Sequence, residues 1–149
     1  MVWIGGRVPT DSDVSRVVAG LFLGPVVRGG IYLYTATHTG LVTITLRILE
    51  RPVDLDEDAW EDVASMSVTF DDPELQVVPL GGEGSLLSAG IPGAGLYRLR
   101  AASRARQESD LVSETGHTEE YLVDIWPEEN EKPPLAEKLT SRFAASLSD

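Results

Sequence analysis

The chain has 149 residues, which fits one domain whose core buries about two-thirds of the surface of the unfolded chain. It contains no cysteine, so disulfides, thiolate catalysis and cysteine-ligated zinc or iron-sulfur sites are excluded. Its formal net charge of -12 repels phosphates and anionic lipids, so neither nucleic acid nor a membrane surface is expected as a partner.

The N-terminal third is rich in β-branched and aromatic residues, which predicts strands. Residues 17–23 are interrupted by Gly20 and are expected to form a short edge strand. Residues 31–37 and 41–49 flank a short glycine-containing turn and predict a β-hairpin. No apolar run approaches the roughly 18 residues of a membrane span, and residues 1–7 lack the pattern of a signal peptide, so a cytoplasmic location is expected.

Acidic residues are concentrated in the middle of the chain, where residues 50–94 hold eleven acids and one base. A dense acidic segment between two predicted strands is expected to be an exposed loop, and its charge predicts a basic protein as partner. Plain solubility is the alternative reading of the same charge. The residues predicted to bind the partner are Asp54, Asp56, Glu57, Asp58, Trp60, Glu61 and Asp62.

Three of these carboxylates, Asp54, Asp56 and Asp58, stand at alternate positions, as at the start of a calcium-binding loop. The sixth position of such a loop is Ala59 where glycine is needed, and the twelfth is Ser65 where glutamate is needed. A helix-loop-helix calcium site is therefore not expected. A calcium site of another geometry, built from the three aspartates, stays an alternative.

Catalysis requires a base held in register with a nucleophile or a metal, and the chain offers only two histidines. His38 falls in a predicted turn and His117 in a long polar loop, and neither has the neighbours of a catalytic motif. The chain is therefore predicted not to be an enzyme and to need no cofactor.

The second half of the chain continues the strand pattern. Alternating residues predict strands over 64–70 and 75–80, and a long hairpin over 95–126 whose outward arginines and carboxylates are complementary. With the earlier segments, about seven to nine short strands predict an all-β fold. We expect an antiparallel β-sandwich of jelly-roll or Greek-key type over residues 1–127.

Residues 128–149 differ in composition, with a linker rich in glutamate and proline before a final apolar pattern. Apolar residues recur every four positions after Pro134, which predicts a short amphipathic C-terminal helix. This helix is expected to pack on its own domain, to fray, or to join a second copy in a homo-oligomer. Its apolar stripe consists of Leu135, Leu139, Phe143 and Leu147.

Three segments, 60–67, 95–100 and 119–127, resemble sequences of uncharacterised small acidic actinobacterial proteins, a resemblance that implies no function. The Gly-x-Tyr-x-Leu pattern of 95–99, followed by an acidic loop and Tyr-Leu-Val-Asp at 121–124, is distantly similar to the end of the competence-operon nuclease inhibitor family. That resemblance implies a small acidic β protein that binds and blocks a nuclease. It identifies no inhibitory residue in this chain.

The leading hypothesis is thus a non-enzymatic acidic domain that binds a basic protein, as an inhibitor or immunity-type partner of an enzyme such as a nuclease. One alternative is a calcium-dependent or small-ligand-binding β-sandwich. The other is a structural subunit that assembles through the C-terminal helix.

Overall fold

The computed structural model of the chain describes residues 1–7, 16–24, 29–35, 42–79, 87–105 and 119–141. Within these ranges no helix has the length and apolar character needed to cross a lipid bilayer. A single 3₁₀ turn, Glu57–Ala59, accompanies the strands there. The strands are β1 (Val2–Gly5), β2 (Arg16–Val18), β3 (Phe22–Gly24), β4 (Gly30–Leu33), β5 (Val42–Ile48), β6 (Asp62–Phe70), β7 (Glu74–Pro79), β8 (Leu87–Gly90), β9 (Gly95–Arg104), β10 (Glu119–Pro127) and β11 (Leu135–Leu139).

The strands form two sheets, which confirms the predicted all-β class. The first sheet has the order β2-β3-β4-β1-β7-β8, and the second has the order β11-β6-β9-β10-β5. Among the described residues all pairs are antiparallel except β10 and β5, which are parallel, so the expectation of a purely antiparallel fold is wrong for the second sheet. The predicted hairpin over 95–126 is confirmed by the antiparallel pairing of β9 with β10.

The segment predicted as one edge strand over residues 17–23 forms parts of two strands instead. β2 and β3 pair antiparallel on either side of a tight turn, and β2 lies at the edge of the first sheet. Ala19 and Gly20 both have positive φ angles in this turn, 53° and 78°. The glycine that was expected to interrupt a strand therefore reverses the chain, because it adopts this backbone conformation without a steric penalty.

The predicted hairpin between residues 31–37 and 41–49 is wrong. Both segments contain a strand, but β4 pairs with β1 and β3 in the first sheet, whereas β5 pairs with β10 in the second. Alternation identifies a half-buried strand without specifying its neighbour, and here the neighbour lies far along the chain. Residues 36–41, which contain the predicted turn, lie outside the described residues.

One hydrophobic cluster joins the inward side chains of both sheets. Successive side chains of a strand point to opposite faces, so Met66, Leu99 and Ile125 face inward while Arg98 and Asp124 face outward. Each fully buried large apolar side chain contributes about 1.5–3 kcal/mol. The first sheet supplies Val2, Ile4, Leu21, Phe22, Ile31, Leu33, Leu75 and Val77 to the same cluster.

The predicted C-terminal helix is wrong over Leu135–Leu139, which form β11 and pair antiparallel with β6. Leu135 and Leu139 remain 50% and 40% exposed, so the predicted apolar stripe is not buried on a helix-packing surface. The open backbone edge of β6 offers main-chain hydrogen bonds that override the local helical pattern. Phe143 and Leu147 lie outside the described residues.

Two connections cross the outer face of the second sheet, the face turned away from the hydrophobic cluster. Residues 49–61 lead from edge strand β5 to β6, past β10 and β9. Residues 128–134 lead from β10 past β9 and β6 to β11, and the carbonyls of Lys132 and Pro133 accept hydrogen bonds from Arg98 on that face. The connections therefore enclose the polar middle of this face, where Arg98, Arg100 and Asp124 are buried, whereas Thr45 and Thr69 stay exposed.

Candidate protein interface

The acidic residues predicted to bind a partner lie on the first of these connections, residues 49–61, called here the acidic loop, and at the start of β6. At the start of the loop the Leu49 amide donates to the Ile125 carbonyl over 2.8 Å. At its end the Glu61 amide donates to the Ser103 carbonyl over 2.9 Å. Both ends of the loop are therefore held by hydrogen bonds to strands of the second sheet.

A compact turn forms within the loop. The Asp56 side chain accepts a hydrogen bond from the Asp58 amide at 3.2 Å, the arrangement of a helix N-cap. The Ala59 amide donates to the Asp56 carbonyl at 3.1 Å, and the Trp60 amide donates to the Glu57 carbonyl at 3.2 Å. A short acidic side chain that satisfies nearby amides explains why this sequence turns here.

Two cations of the second sheet bind the main chain of the acidic loop. Lys138 Nζ donates to the Glu57 carbonyl at 2.8 Å, and Arg104 donates to the Ala59 carbonyl at 3.4 Å. The Arg104 guanidinium also lies 4.7 Å from the centre of the Trp60 ring. These cations therefore hold the loop through carbonyl groups and a ring.

The carboxylates of the loop are left at its surface. Asp54, Asp56, Glu57 and Asp58 are all exposed. Among the described residues, the ion pairs are Arg47–Asp124, Arg100–Asp124 and Arg104–Glu120, and none of them includes these four side chains. The loop thus presents a dense set of negative charges that no cation of the described chain neutralises by contact.

The other three predicted partner-binding residues are engaged within the protein. Trp60 is partly buried beneath Arg104, and the Glu61 carboxylate accepts a hydrogen bond from the Ala105 amide at 2.6 Å. Asp62 is fully buried and lies in β6. Its position inside the protein removes it from the surface that a partner would meet.

Asp62 binds the segment that follows β11. Its carboxylate accepts hydrogen bonds from the amides of Thr140 and Ser141, both at 3.0 Å, and from Ser141 Oγ at 2.6 Å. Ser103 Oγ donates to the same carboxylate from the neighbouring strand at 3.4 Å. Asp62 therefore holds residues 140–141 against the second sheet.

The acidic middle third of the sequence is divided in space. Asp71, Asp72 and Glu74 are exposed where the chain passes from β6 to β7, whereas the acidic loop enters β6 at its other end. The intervening strand has nine residues and spans roughly 30 Å at about 3.3 Å per residue. Residues 54–58 and 71–74 are therefore separate acidic surfaces.

No group of three or more histidine, aspartate or glutamate side chains arranged to hold a metal occurs in the part of the chain that the structure describes. Asp54, Asp56 and Asp58 belong to that part, and their carboxylates do not converge on a common point. The geometry therefore offers no support for calcium binding by these three residues. The two histidines considered for catalysis, His38 and His117, lie outside the described residues.

The ion-pair row Arg47–Asp124–Arg100 lies on the outer face of the second sheet. The sequence indicates only part of it. Asp124 is almost fully buried and accepts from Arg47 at 2.6 and 2.7 Å and from Arg100 at 2.7 Å. Burial alone raises the pKa of Asp124, but the hydrogen bonds and charges of the two arginines outweigh burial and hold the pKa below its ordinary value. The sequence suggests Arg100 as a partner of Asp124, whereas Arg47 is 77 residues away and carries no local signal.

Arg98 is also buried, and its hydrogen bonds go to neutral oxygens. The guanidinium donates to Ser65 Oγ, Ser67 Oγ and the carbonyls of Lys132 and Pro133 at 2.9–3.2 Å. Arg98 and Arg100, two of the outward arginines of the predicted hairpin, are thus enclosed by the protein, whereas Arg104 is exposed.

Comparisons of the chain with protein-family models, with curated proteins and with solved structures gave no match.

Proposed function

We propose that this protein is a non-enzymatic binding domain whose acidic loop recognises a basic protein. The observation that carries the proposal is the exposure of Asp54, Asp56, Glu57 and Asp58 on a loop whose main chain is held at both ends. The two sheets with their shared core support a β-sandwich scaffold beneath the loop.

The fixed main chain matters because ordering a loop on binding costs conformational entropy. Here the bonds from Lys138 and Arg104 have already ordered the turn, so its carboxylates keep their spacing before a partner arrives. Long-range attraction from concentrated like charges raises association rates with an oppositely charged partner. A pre-ordered acidic loop therefore suits fast, salt-sensitive binding.

The more specific form of the proposal is an inhibitor or immunity-type partner of a nuclease. A nuclease binds the phosphates of its substrate through cationic groups, and closely spaced carboxylates offer the same charge to those groups. The density of negative charge on residues 54–58 supports this form, because such a concentration attracts the cationic groups of a nucleic-acid-binding surface.

Two matched variants test the proposal. The loop variant carries Asp54→Asn, Asp56→Asn, Glu57→Gln and Asp58→Asn, and the asparagine introduced at position 56 keeps a side-chain oxygen that can cap the turn. The control variant carries an equal number of neutralised exposed carboxylates elsewhere, namely Glu74→Gln, Glu129→Gln, Glu131→Gln and Glu137→Gln. Both variants have the same net charge, so only the place of the charge differs.

Wild type and both variants serve as immobilised baits in lysate of the source organism at about 50 mM salt, where charges act over roughly 14 Å. We expect wild type and the control variant to retain the same basic protein and the loop variant to lose it. Equal retention by all three baits, or retention of no basic protein by wild type, contradicts the proposal. A retained enzyme with nuclease activity that wild type inhibits supports its specific form.

A further inference from the structure

The two sheets have four edge strands among the described residues, and three of them carry features that discourage pairing with another strand. In the first sheet, β2 has three residues and β8 has four. In the second sheet, β11 has a bulge between Ala136 and Lys138, and Glu137 and Lys138 place charges on it. Short length, bulges and charged side chains are the usual means by which proteins protect sheet edges.

The fourth edge, β5, has none of these features. It has seven residues, Val-Thr-Ile-Thr-Leu-Arg-Ile, and pairs with β10 in an unbroken register. Its residues favour extended structure, and it contains no proline, lysine or acidic residue. Its inward side chains are only partly buried although they pack against the core. Within the described ranges no strand pairs with the other side of β5.

The side-chain order of β5 is complementary to itself when two copies run antiparallel. In the register that pairs all seven residues, Thr45 lies opposite Thr45 of the second copy. Ile44 then faces Leu46, and Val42 faces Ile48, so half-buried apolar side chains meet on the core side. On the outer side Thr43 faces Arg47. A two-fold axis through Thr45 therefore matches apolar with apolar and polar with polar positions.

The local charge distribution permits a second copy at this edge. Two chains of net charge -12 repel each other, and β5 is a strand without acidic residues. Its single cation, Arg47, is held by both oxygens of Asp124 in its own chain. An antiparallel pair of β5 strands thus brings no like charges directly opposite each other.

We propose that β5 pairs antiparallel with β5 of a second copy of this chain about a two-fold axis at Thr45, which joins the two second sheets into one continuous sheet. This surface is distinct from the acidic loop and from the C-terminal stripe predicted from the sequence. The test of the dimer is therefore independent of the test of the proposed partner.

The test is sedimentation velocity of the full chain over a range of concentrations, with substitutions at the two-fold axis. Thr45 is exposed, so Thr45→Lys and Thr45→Asp leave the core of each copy intact. Each substitution alone places like charges opposite each other and is expected to raise the dimer dissociation constant by about tenfold or more. An equimolar mixture of the two variants is expected to restore the dimer, because lysine then faces aspartate.

Thr69→Lys is the matched control, since Thr69 is an exposed threonine on β6, which lies between β11 and β9 and is not an edge strand. It is expected to sediment as wild type does. Wild type that stays monomeric up to about 1 mM, a dissociation constant worth only about 4 kcal/mol, overturns the proposal. A dimer that ignores both Thr45 substitutions also overturns it.

A second measurement is independent of how the charged variants fold. Because the chain has no cysteine, Thr45→Cys introduces a single thiol. Directly opposite Cβ atoms in an antiparallel pair lie about 4.5–5.5 Å apart, so a short bifunctional thiol cross-linker is expected to join two Thr45→Cys chains. Cross-linking of Thr69→Cys to the same extent contradicts the proposed axis.

Discussion

Arg104 lies with its guanidinium 4.7 Å from the centre of the Trp60 ring, at the point where the acidic loop returns to the second sheet. The same guanidinium donates to the Ala59 carbonyl and pairs with Glu120 of the neighbouring strand. A cation that could have paired with a loop carboxylate is thus bound to a ring, a carbonyl and another strand. The arrangement fixes the loop and leaves its charge outward.

We predict that Arg104→Ala loosens the end of the acidic loop. The loss of one exposed cation-ring contact and one exposed ion pair is expected to lower the free energy of unfolding by about 0.5–1.5 kcal/mol. Amide hydrogen exchange at residues 59 and 60 is expected to accelerate, because the turn that protects these amides loses its support. Arg51→Ala, which removes an exposed arginine of the same loop, serves as control. Equal exchange in the two variants contradicts this role of Arg104.

We predict opposite roles for two aspartates of the same acidic segment. Asp62→Ala removes the acceptor of the Thr140 and Ser141 amides and is expected to lower the free energy of unfolding by about 2–3 kcal/mol. Asp58→Ala removes an exposed carboxylate and is expected to change the free energy of unfolding by less than about 0.5 kcal/mol. Urea denaturation of both variants measures the difference. Similar losses would show that Asp62 does not hold the C-terminal segment.

Asp124→Asn is expected to destabilise the protein at neutral pH by about 3 kcal/mol, because it leaves Arg100 buried without its carboxylate partner. Leu122→Ala on the outer face of the same strand provides a control without an ion pair. Urea denaturation at pH 7 measures both losses. A loss for Asp124→Asn below about 1 kcal/mol, the range of an exposed ion pair, contradicts the stabilising role of the row.

The stability difference between wild type and Asp124→Asn is expected to depend on pH, with a sign that follows from the pKa of Asp124. The pKa of Asp124 is lower in the folded state, so its stabilising effect is complete above the ordinary carboxyl pKa and declines as the pH falls through the folded value. The stability difference between wild type and Asp124→Asn is therefore expected to shrink below about pH 4. A difference that stays constant from neutral pH to about pH 3 contradicts the assignment.

Alternation predicted those strands whose inward and outward residues differ sharply. The segment from Ala64 to Phe70 lies within β6, and the pattern over 95–126 corresponds to β9 and β10 in antiparallel register. The predictions that failed concern the partner of β5 and the secondary structure of residues 135–139, which were expected to be helical. Strand β5 finds its partner in β10, and Leu135–Leu139 find theirs in β6, so contacts between distant segments decided the outcome.

The candidate site was likewise predicted in part. Composition identified the acidic loop, because dense carboxylates between strands are seldom buried. Composition did not distinguish the buried Asp62 from the exposed Asp58, because burial depends on where each residue lies relative to the sheet. One signal was present in the sequence: Asp62 shares the alternation phase of Ala64 and Met66, both of which face the core. The partnership of Arg47 with Asp124 needed the parallel pairing of β5 and β10 and had no local signal.

We propose that carboxylates held on the acidic loop bind a basic protein. The most direct measurement is the association rate constant of the recovered basic protein with wild type, with the loop variant and with the control variant, at about 50 mM and about 300 mM salt. We expect wild type and the control variant to associate at similar rates that fall steeply with salt, and the loop variant to associate about tenfold to a hundredfold more slowly at low salt. Equal rates for the two variants at both salt concentrations would contradict the claim.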